Sequence, residues 1–416
     1  MTSRPIFKPL RILLSEGTST SAREAVTVLG LAGHVVDVCD PAAAGLARFS
    51  GLVRTYHRCP GMRDDPLGFL RFIEDLLATG DYDVLLPIHE QGFLFAKVQE
   101  RLKTRTGLAL PTFDSYRRAH SKAGFSRVLS ELGLPQPETR IVASVDALRA
   151  AVRFPCVIKT AIGTASRGVW RVRDDADLAL AVREVEAGNG FAGEVLVQAC
   201  VTGATEKAQG VFCRGELVGF HAYRQIMEGA GGGDAIKRSV RRDRVRDDLA
   251  AIGRHLAWHG ALSVDFIMSG DDSGPFYIDC NPRLVEPMAA YLAGVDLVAL
   301  LLRVSLGETP EVASATCEGV VTHQAMQVLL GSAQRGGDRR VLLRICRDIW
   351  CRCGDYAGST EELTPIRMDR FGAVPLVMTA LLLLASPRLS HVLAKRGWGA
   401  HLLDAKTVAT IESEAF

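Results

Sequence analysis

Ser263-Val-Asp-Phe-Ile267, Asp271-Asp-Ser-Gly274 and Pro275-Phe-Tyr-Ile-Asp-Cys-Asn-Pro-Arg283 form the stretch that decides how this chain is read. Residues 263–267 alternate and are β-branched, which predicts a strand. Residues 271–274 predict a hairpin turn, and 275–281 the returning strand. Such a hairpin brings Asp265 near Asp279. Asn281 follows two residues after Asp279 and projects from the same face. Two carboxylates and an amide oxygen make a hard, all-oxygen site. That suits Mg²⁺, which commonly shares its sphere with water and substrate phosphates. Arg283 continues the same face, where a guanidinium is suited to a phosphate oxygen. A hairpin with ordinary surface acids fits these residues equally well, so the rest of the chain has to choose.

With 416 residues the chain is long enough for two or three domains and a large core. Hydrophobic content of 48% and charged content of 23% are those of a globular enzyme and exclude a disordered chain. A net charge of +2 gives no case for nucleic acid as a partner. Met1–Leu10 holds Arg4 and Lys8 but no long apolar core, so no secretory signal is read and a cytoplasmic location is expected. The ten cysteines stand singly apart from Cys351 and Cys353; without CxxC pairs, reduced thiols are expected rather than zinc.

Residues 1–111 read as a Rossmann-like domain. Leu10–Leu14, His34–Val38 and Asp83–Pro87 predict strands that alternate with helices over Ser21–Gly30 and Asp65–Ala78, hence a parallel, doubly wound sheet. The first turn lacks GxGxxG, so no dinucleotide site is assigned. His89 and Glu90 stand at a strand's carboxyl end, the usual ligand edge, where a substrate contact and a plain helix N-terminus are both open.

A second unit, 112–200, opens with a predicted helix over Ser115–Gly133 and the rigid link Leu134-Pro-Gln-Pro137. Phe154–Lys159 predicts a strand ending in lysine. Thr160-Ala-Ile-Gly-Thr-Ala-Ser-Arg-Gly168 is a small-residue loop, and Val169–Val172 the returning strand. A lysine beside such a loop can hold phosphates, although this is no Walker motif, and Arg167 adds charge or is merely solvated. Residues 201–311 form the third unit. It contains a hairpin turning at Arg214-Gly-Glu216, the glycine loop 229–233, a basic run from Lys237 to Arg246, and a helix over Asp247–His259. Within the basic run, Arg238 or Arg241 is the candidate for a substrate carboxylate or phosphate.

The order of these parts resembles the ATP-grasp superfamily, the fold of D-alanine–D-alanine ligase, biotin carboxylase and the carbamoyl-phosphate synthase large chain. The resemblance covers roughly residues 10–310. It rests on Lys122 before Gly-Leu-Pro-Gln-Pro, on Pro-Cys-Val-Ile-Lys159 and its loop, on Gln198–Val201 with Gly203 and Glu206, and on Asp265 with Asp279-Cys-Asn281-Pro-Arg283. It implies an α/β and α+β architecture in which two α+β subdomains clasp ATP. By position, Lys122, Lys159 and Ser166 would hold phosphates. Gln198, Ala199, Cys200 and Val201 would form the hinge against adenine, and Glu206 would bind the ribose. Asp265, Asp279 and Asn281 would bind Mg²⁺ or Mn²⁺, with Arg283 facing the transferred phosphate.

Three departures stand out. Asp279 replaces the more frequent Glu, Gln198 replaces a frequent Glu, and Ser263 stands where D-alanine–D-alanine ligase has Arg. Stabilising a tetrahedral intermediate then falls to Arg283 or to an arginine of the basic run such as Arg241, with Lys159 as the third catalytic candidate. The implied reaction is ATP-dependent ligation of a carboxylate to an amine, amino-acid or peptide-like, through an acyl phosphate. Another ATP-grasp phosphoryl or carboxyl transfer, or a nucleotide-binding regulatory module, is the alternative.

Residues 312–416 are expected to be a mostly helical extension. The apolar run 372–387 is shorter than the roughly 18–20 residues that span a bilayer, and Pro375 interrupts its start. Arg388, Lys395, Arg396 and Trp398 follow. A buried or homodimer-interface helix and a helix resting on the inner membrane surface both fit. Cys346, Cys351 and Cys353 are read as buried thiols.

Overall fold

The computed structural model describes residues 8–163, 168–270, 274–395 and 401–414. Ser166 and Arg167 of the phosphate loop, Arg4, most of the predicted turn at 271–274, Arg396 and Trp398 lie outside the described residues. Three sheets organise the chain.

The first is parallel, with strands β1 (Arg11–Leu14), β2 (Val35–Asp40), β3 (Val53–Arg58) and β4 (Val84–Leu86) in the order β3-β2-β1-β4. Two faces of buried aliphatic side chains pack against helices Thr20–Leu31 and Pro66–Thr79, as the alternating pattern predicts. β3 has no counterpart in the sequence reading. It is an edge strand whose Arg54, His57 and Arg58 break the apolar signal a central strand gives.

The second sheet is antiparallel: β5 (Thr139–Val142), β6 (Cys156–Thr160), β7 (Val169–Val172) and β8 (Val195–Ala199), in the order β5-β8-β6-β7. Helix Asp175–Ala187 covers it. The single helix expected over 115–133 is two helices, Phe113–His120 and Lys122–Glu131. Ser121 between them is extended, and its hydroxyl accepts from the Gly124 N–H, which caps the second helix. Lys122 therefore sits in a first helical turn, with its backbone N–H donating to the Ala161 carbonyl at 2.9 Å.

The third sheet has seven strands, β9 (Ala204–Cys213), β10 (Glu216–Glu228), β11 (Asp234–Ser239), β12 (Gly260–Met268), β13 (Phe276–Asn281), β14 (Val321–His323) and β15 (Thr360–Glu361), in the order β13-β12-β9-β10-β11-β14-β15. The β9–β10 hairpin turns on Arg214 and Gly215, both at positive φ (52° and 93°), the geometry of a tight two-residue turn. The helix expected over 247–259 runs instead from Asp243 to His255. The last two strands come from the extension, which is mostly helical as expected but also completes this sheet.

Two expectations for the extension are corrected. Helix Val374–Ala385 buries only Pro375 and Leu383 and leaves much of its apolar surface in solvent. Cys351 and Cys353 are exposed and Cys346 is half-buried, because helix Arg339–Cys351 and the turn after it lie on the surface. Among the described residues no helix is long and apolar enough to cross a membrane.

Candidate active site

Strand pairing places one row of side chains across four strands. Asp279 on β13 opposes Asp265 on β12, Asp265 opposes Lys207 on β9, and Lys207 opposes Tyr223 on β10. The next row on that face is Asn281, Ser263, Gln209 and His221. The hairpin read from the sequence thus sets Asp265 across from Asp279, with Asn281 one row on. The opposite face, with Ala208, Ala222, Val264, Phe266 and Cys280, packs into the core.

Lysines from the antiparallel sheet and its helix reach this row. The Lys122 Nζ lies 3.0 Å from the Asp279 Oδ2 and donates to the Gly163 carbonyl at 2.7 Å. The Lys159 Nζ, on β6, donates to the Ile278 carbonyl at 2.8 Å. Burial lowers the Lys159 ammonium to about 8, with Asp279 opposing the shift and Lys122 adding to it. Gly168 closes the loop between β6 and β7 at φ 73°; a Cβ there would stand 2.2 Å from the Thr160 Oγ1, so the loop can close tightly only on glycine.

Asp265 is held differently. Its Oδ1 is enclosed and has no hydrogen-bond partner among the described residues, and its Oδ2 lies 4.0 Å from the Lys207 Nζ. Burial pushes this carboxyl up to about 6, against the pull of Lys207 and with the neighbouring Asp279 charge adding to the rise. Lys207 is committed to Asp234 at 2.7 Å, and Tyr223 and Gln225 also donate to Asp234. An enclosed carboxylate oxygen without a donor is costly in a protein alone and fits a bound cation. The donor set of Asp265, Asp279 and Asn281, all oxygen, is the kind that Mg²⁺ takes.

Arg283 leaves β13 toward the ligand edge of the parallel sheet. Its guanidinium donates to the Ser21 Oγ at 3.3 Å, and the Ser263 Oγ donates to the Arg283 carbonyl at 2.6 Å. Ser263 therefore fixes the loop that carries Arg283. His89, at the end of β4, is buried and held well below the ordinary imidazole value by burial first and by the Arg283 charge second. Glu90 starts helix Gln91–Lys97, and its carboxylate accepts from the Leu403 N–H. Close to Ser21, Glu16 accepts from the N–H groups of Thr18 and Ser19; burial and then Asp40 raise it to about 7.

Four expected site residues are placed otherwise. Glu206 is next to Lys207 on β9 and so points to the opposite face from Asp265. It is fully buried and accepts from Arg224 Nε at 2.8 Å and from Arg242 Nε and Nη2 at 2.7 Å each. That is a carboxylate closed by two arginines. Arg241 is exposed and paired with Asp243 at 2.9 Å. Arg238 is exposed on β11. Gln198 turns inward, donating to the Thr139 Oγ1 at 3.0 Å, whereas Ala199 and Cys200 are exposed and Val201 half-buried where the chain crosses from the second sheet to the third.

The sequence reading missed a second buried cluster. Glu24, Glu286 and Glu362 come together, with ligand atoms within 4.8 Å of one another. The Lys237 Nζ sits 2.7 Å from Glu286 and contacts Glu362, and the Gln324 Nε2 lies 2.9 Å from a carboxylate oxygen of each of the three. Burial, then Glu286 and Glu362, holds Glu24 well above the usual carboxylate range. Lys237 is the one member that lies inside the basic run, but nothing local marks it as the buried one.

No protein-family model matches the chain. Over 213 residues, 47% of the chain, it is 26% identical to the carbamoyl phosphate synthase large chain of Thermus thermophilus, of which that match covers 20%. The chain spans between a fifth and a half of the length of the curated relatives it matches. Its fold is similar to the biotin carboxylase domain dimer of Hydrogenobacter thermophilus 2-oxoglutarate carboxylase, solved with MgADP and bicarbonate, at a TM-score of 0.60 and 15% identity over 76% of this chain and 74% of that one. It is also similar to the L-amino acid ligase of Bacillus licheniformis, at a TM-score of 0.56 and 17% identity over 72% of this chain and 75% of that one. With the sheet order, these likenesses show that the chain has the ATP-grasp fold.

Proposed function

We propose that the protein is an ATP-dependent ligase that joins a carboxylate to an amine, amino-acid or peptide-like, with release of ADP and phosphate. The observation that carries this reading is the meeting of Lys122 and Lys159, from one sheet and its helix, with Asp279 and with an Asp265 oxygen that has no partner among the described residues. Lysines hold phosphate oxygens as point charges, and acids at that distance hold the cation that accompanies them. Asp265, Asp279 and Asn281 would hold Mg²⁺ or Mn²⁺. Such an ion neutralises phosphate charge and favours phosphoryl transfer.

The substrate carboxylate has its place near Arg283, where the third sheet meets the ligand edge of the parallel sheet. A carboxylate is a poor electrophile. One of its oxygens attacks the terminal phosphorus and ADP leaves, giving an acyl phosphate. The amine nitrogen then attacks the acyl carbon. The C–O bond to phosphate breaks with its electron pair, and the nitrogen loses its extra proton. Lys122, Lys159 and Arg283 supply position and fixed positive charge, which is most of what such a transfer asks of a protein.

An ADP-release screen across pools of carboxylic acids and amines tests this with wild type, Lys159→Ala and Asp279→Ala. Turnover that requires both a carboxylate and an amine, and that vanishes in both variants while circular dichroism stays native, supports the reading. Turnover surviving in both variants refutes the site; ADP release with no amine dependence refutes the ligase.

A further inference from the structure

We propose that helix Val374–Ala385 docks this protein on the surface of an anionic lipid bilayer. The helix exposes Val374, Val377, Met378, Leu381 and Leu382, at the spacing i, i+3, i+4, i+7, i+8, which is one continuous helical face. Phe371 extends that face by one turn at 68% exposure, and Leu381 near its centre is 63% exposed. A contiguous apolar strip of this kind marks an interaction surface, because soluble chains seldom leave one in water.

Charge decides which surface. Arg370 and Arg388, both exposed, bracket the two ends of the strip, and Arg367 stands before it. Between Asp369 and Asp404 the sequence has no Asp or Glu. Asp369 itself is buried against Arg23 at 2.8 Å and offers nothing to the surface. A second copy paired across the strip by a two-fold axis would bring this arginine-bracketed segment, which carries no acid of its own, against itself. Anionic headgroups supply the missing negative charge, and acyl chains the apolar contact. At 12 residues the helix is roughly 18 Å long, well short of a span, so it lies in the plane of the interface.

The test is co-flotation of the whole chain with vesicles of phosphatidylcholine alone and of phosphatidylcholine with phosphatidylglycerol, at low and high salt. Binding is expected only with phosphatidylglycerol, weakened by salt. Arg370→Ala and Arg388→Ala should each weaken it about fivefold. Leu381→Asp should abolish it; the side chain is exposed, so the variant is expected to keep its native circular dichroism. Binding to both vesicle types alike, or binding unchanged in Leu381→Asp, overturns the proposal. So does absence of binding, whether the chain is then a monomer or a dimer by light scattering; a dimer that Leu381→Asp dissociates would identify the second copy as the occupant.

Discussion

Replacing Glu206 separates a carboxylate that locks the sheet from one that reads a ribose. Glu206 is fully buried and accepts three charge-assisted bonds, of 2.8, 2.7 and 2.7 Å, from Arg224 and Arg242. Arg242→Ala removes two of the three and leaves a buried carboxylate with one donor. Breaking a buried pair from one side costs about 3–5 kcal/mol. The Arg242 side chain is 23% exposed, so water relieves part of the loss and the lower end, about 3 kcal/mol, is expected. Glu206→Gln keeps an acceptor oxygen but loses the charge, for about 1–2 kcal/mol. Thermal unfolding followed by circular dichroism should show the larger drop in midpoint for Arg242→Ala, on the order of 5–10 °C. Calorimetric titration with MgADP supplies the second readout. A locking role predicts that Glu206→Gln changes the MgADP dissociation constant less than about threefold, whereas losing a charged contact to a ribose would weaken it about tenfold or more. A Glu206→Gln protein with wild-type unfolding and tenfold weaker MgADP binding would refute the locking role and restore the ribose one.

Other changes test neighbouring parts of the site. Lys122→Met should weaken MgADP binding about tenfold or more while the fold persists, since it removes one of two lysines that meet the acidic row; unchanged titration would end the two-lysine reading. Gly168→Ala should weaken MgADP binding and lower the unfolding midpoint, because the residue sits at φ 73° with no room for a Cβ beside Thr160; a variant that matches wild type in both would show that the loop tolerates a side chain. Glu16, raised from 4.5 to about 7, binds more protons folded than unfolded. Its contribution therefore falls as pH rises from about 4.5 to 7 and stays low above that, by roughly 3 kcal/mol in all. Glu16→Gln should remove that part of the slope in unfolding midpoint between pH 5 and 8, and an identical slope in both proteins would contradict the shift.

The parts legible in the sequence are those whose signal is local. Alternation, a turn and a return strand place Asp265 opposite Asp279 without any knowledge of distant residues, and a strand ending in lysine beside a glycine loop places Lys159. Register is not local. A one-residue difference turns a side chain to the other face of a strand, and that alone separates Lys207, in the row of acids, from Glu206, behind it. Nothing in the Gly203–Glu206 segment announces which of the two faces the cleft. The basic run fails for the same reason. Lys237 and Arg238 are adjacent on β11, yet one is buried among carboxylates and the other is exposed, while Arg242 turns back to close Glu206 and Arg241 stays in solvent.

The extension was opaque because its meaning lies in contacts that span the chain. Glu24 comes from the first parallel unit, Lys237 and Glu286 from the third, and Gln324 and Glu362 from beyond residue 312. Each is an unremarkable polar residue in its own window. Together they place three carboxylates and one ammonium out of water, an arrangement whose desolvation cost is large unless every partner is present. Glu24 is held well above the usual carboxylate range and Lys237 stays charged because Glu286, Glu362 and Glu24 outweigh its burial. The cluster therefore couples the three regions: removing Lys237 or Gln324 alone leaves buried acids uncompensated, whichever region each acid belongs to. β14 and β15 add the same message in backbone terms, since the third sheet runs on into the extension. Glu286 stands three residues after Arg283, so this shared cluster also fixes the segment that carries the Arg283 guanidinium. The region whose purpose was least readable is thus tied, through Glu362, Lys237 and Glu286, to the geometry of the site that was most readable.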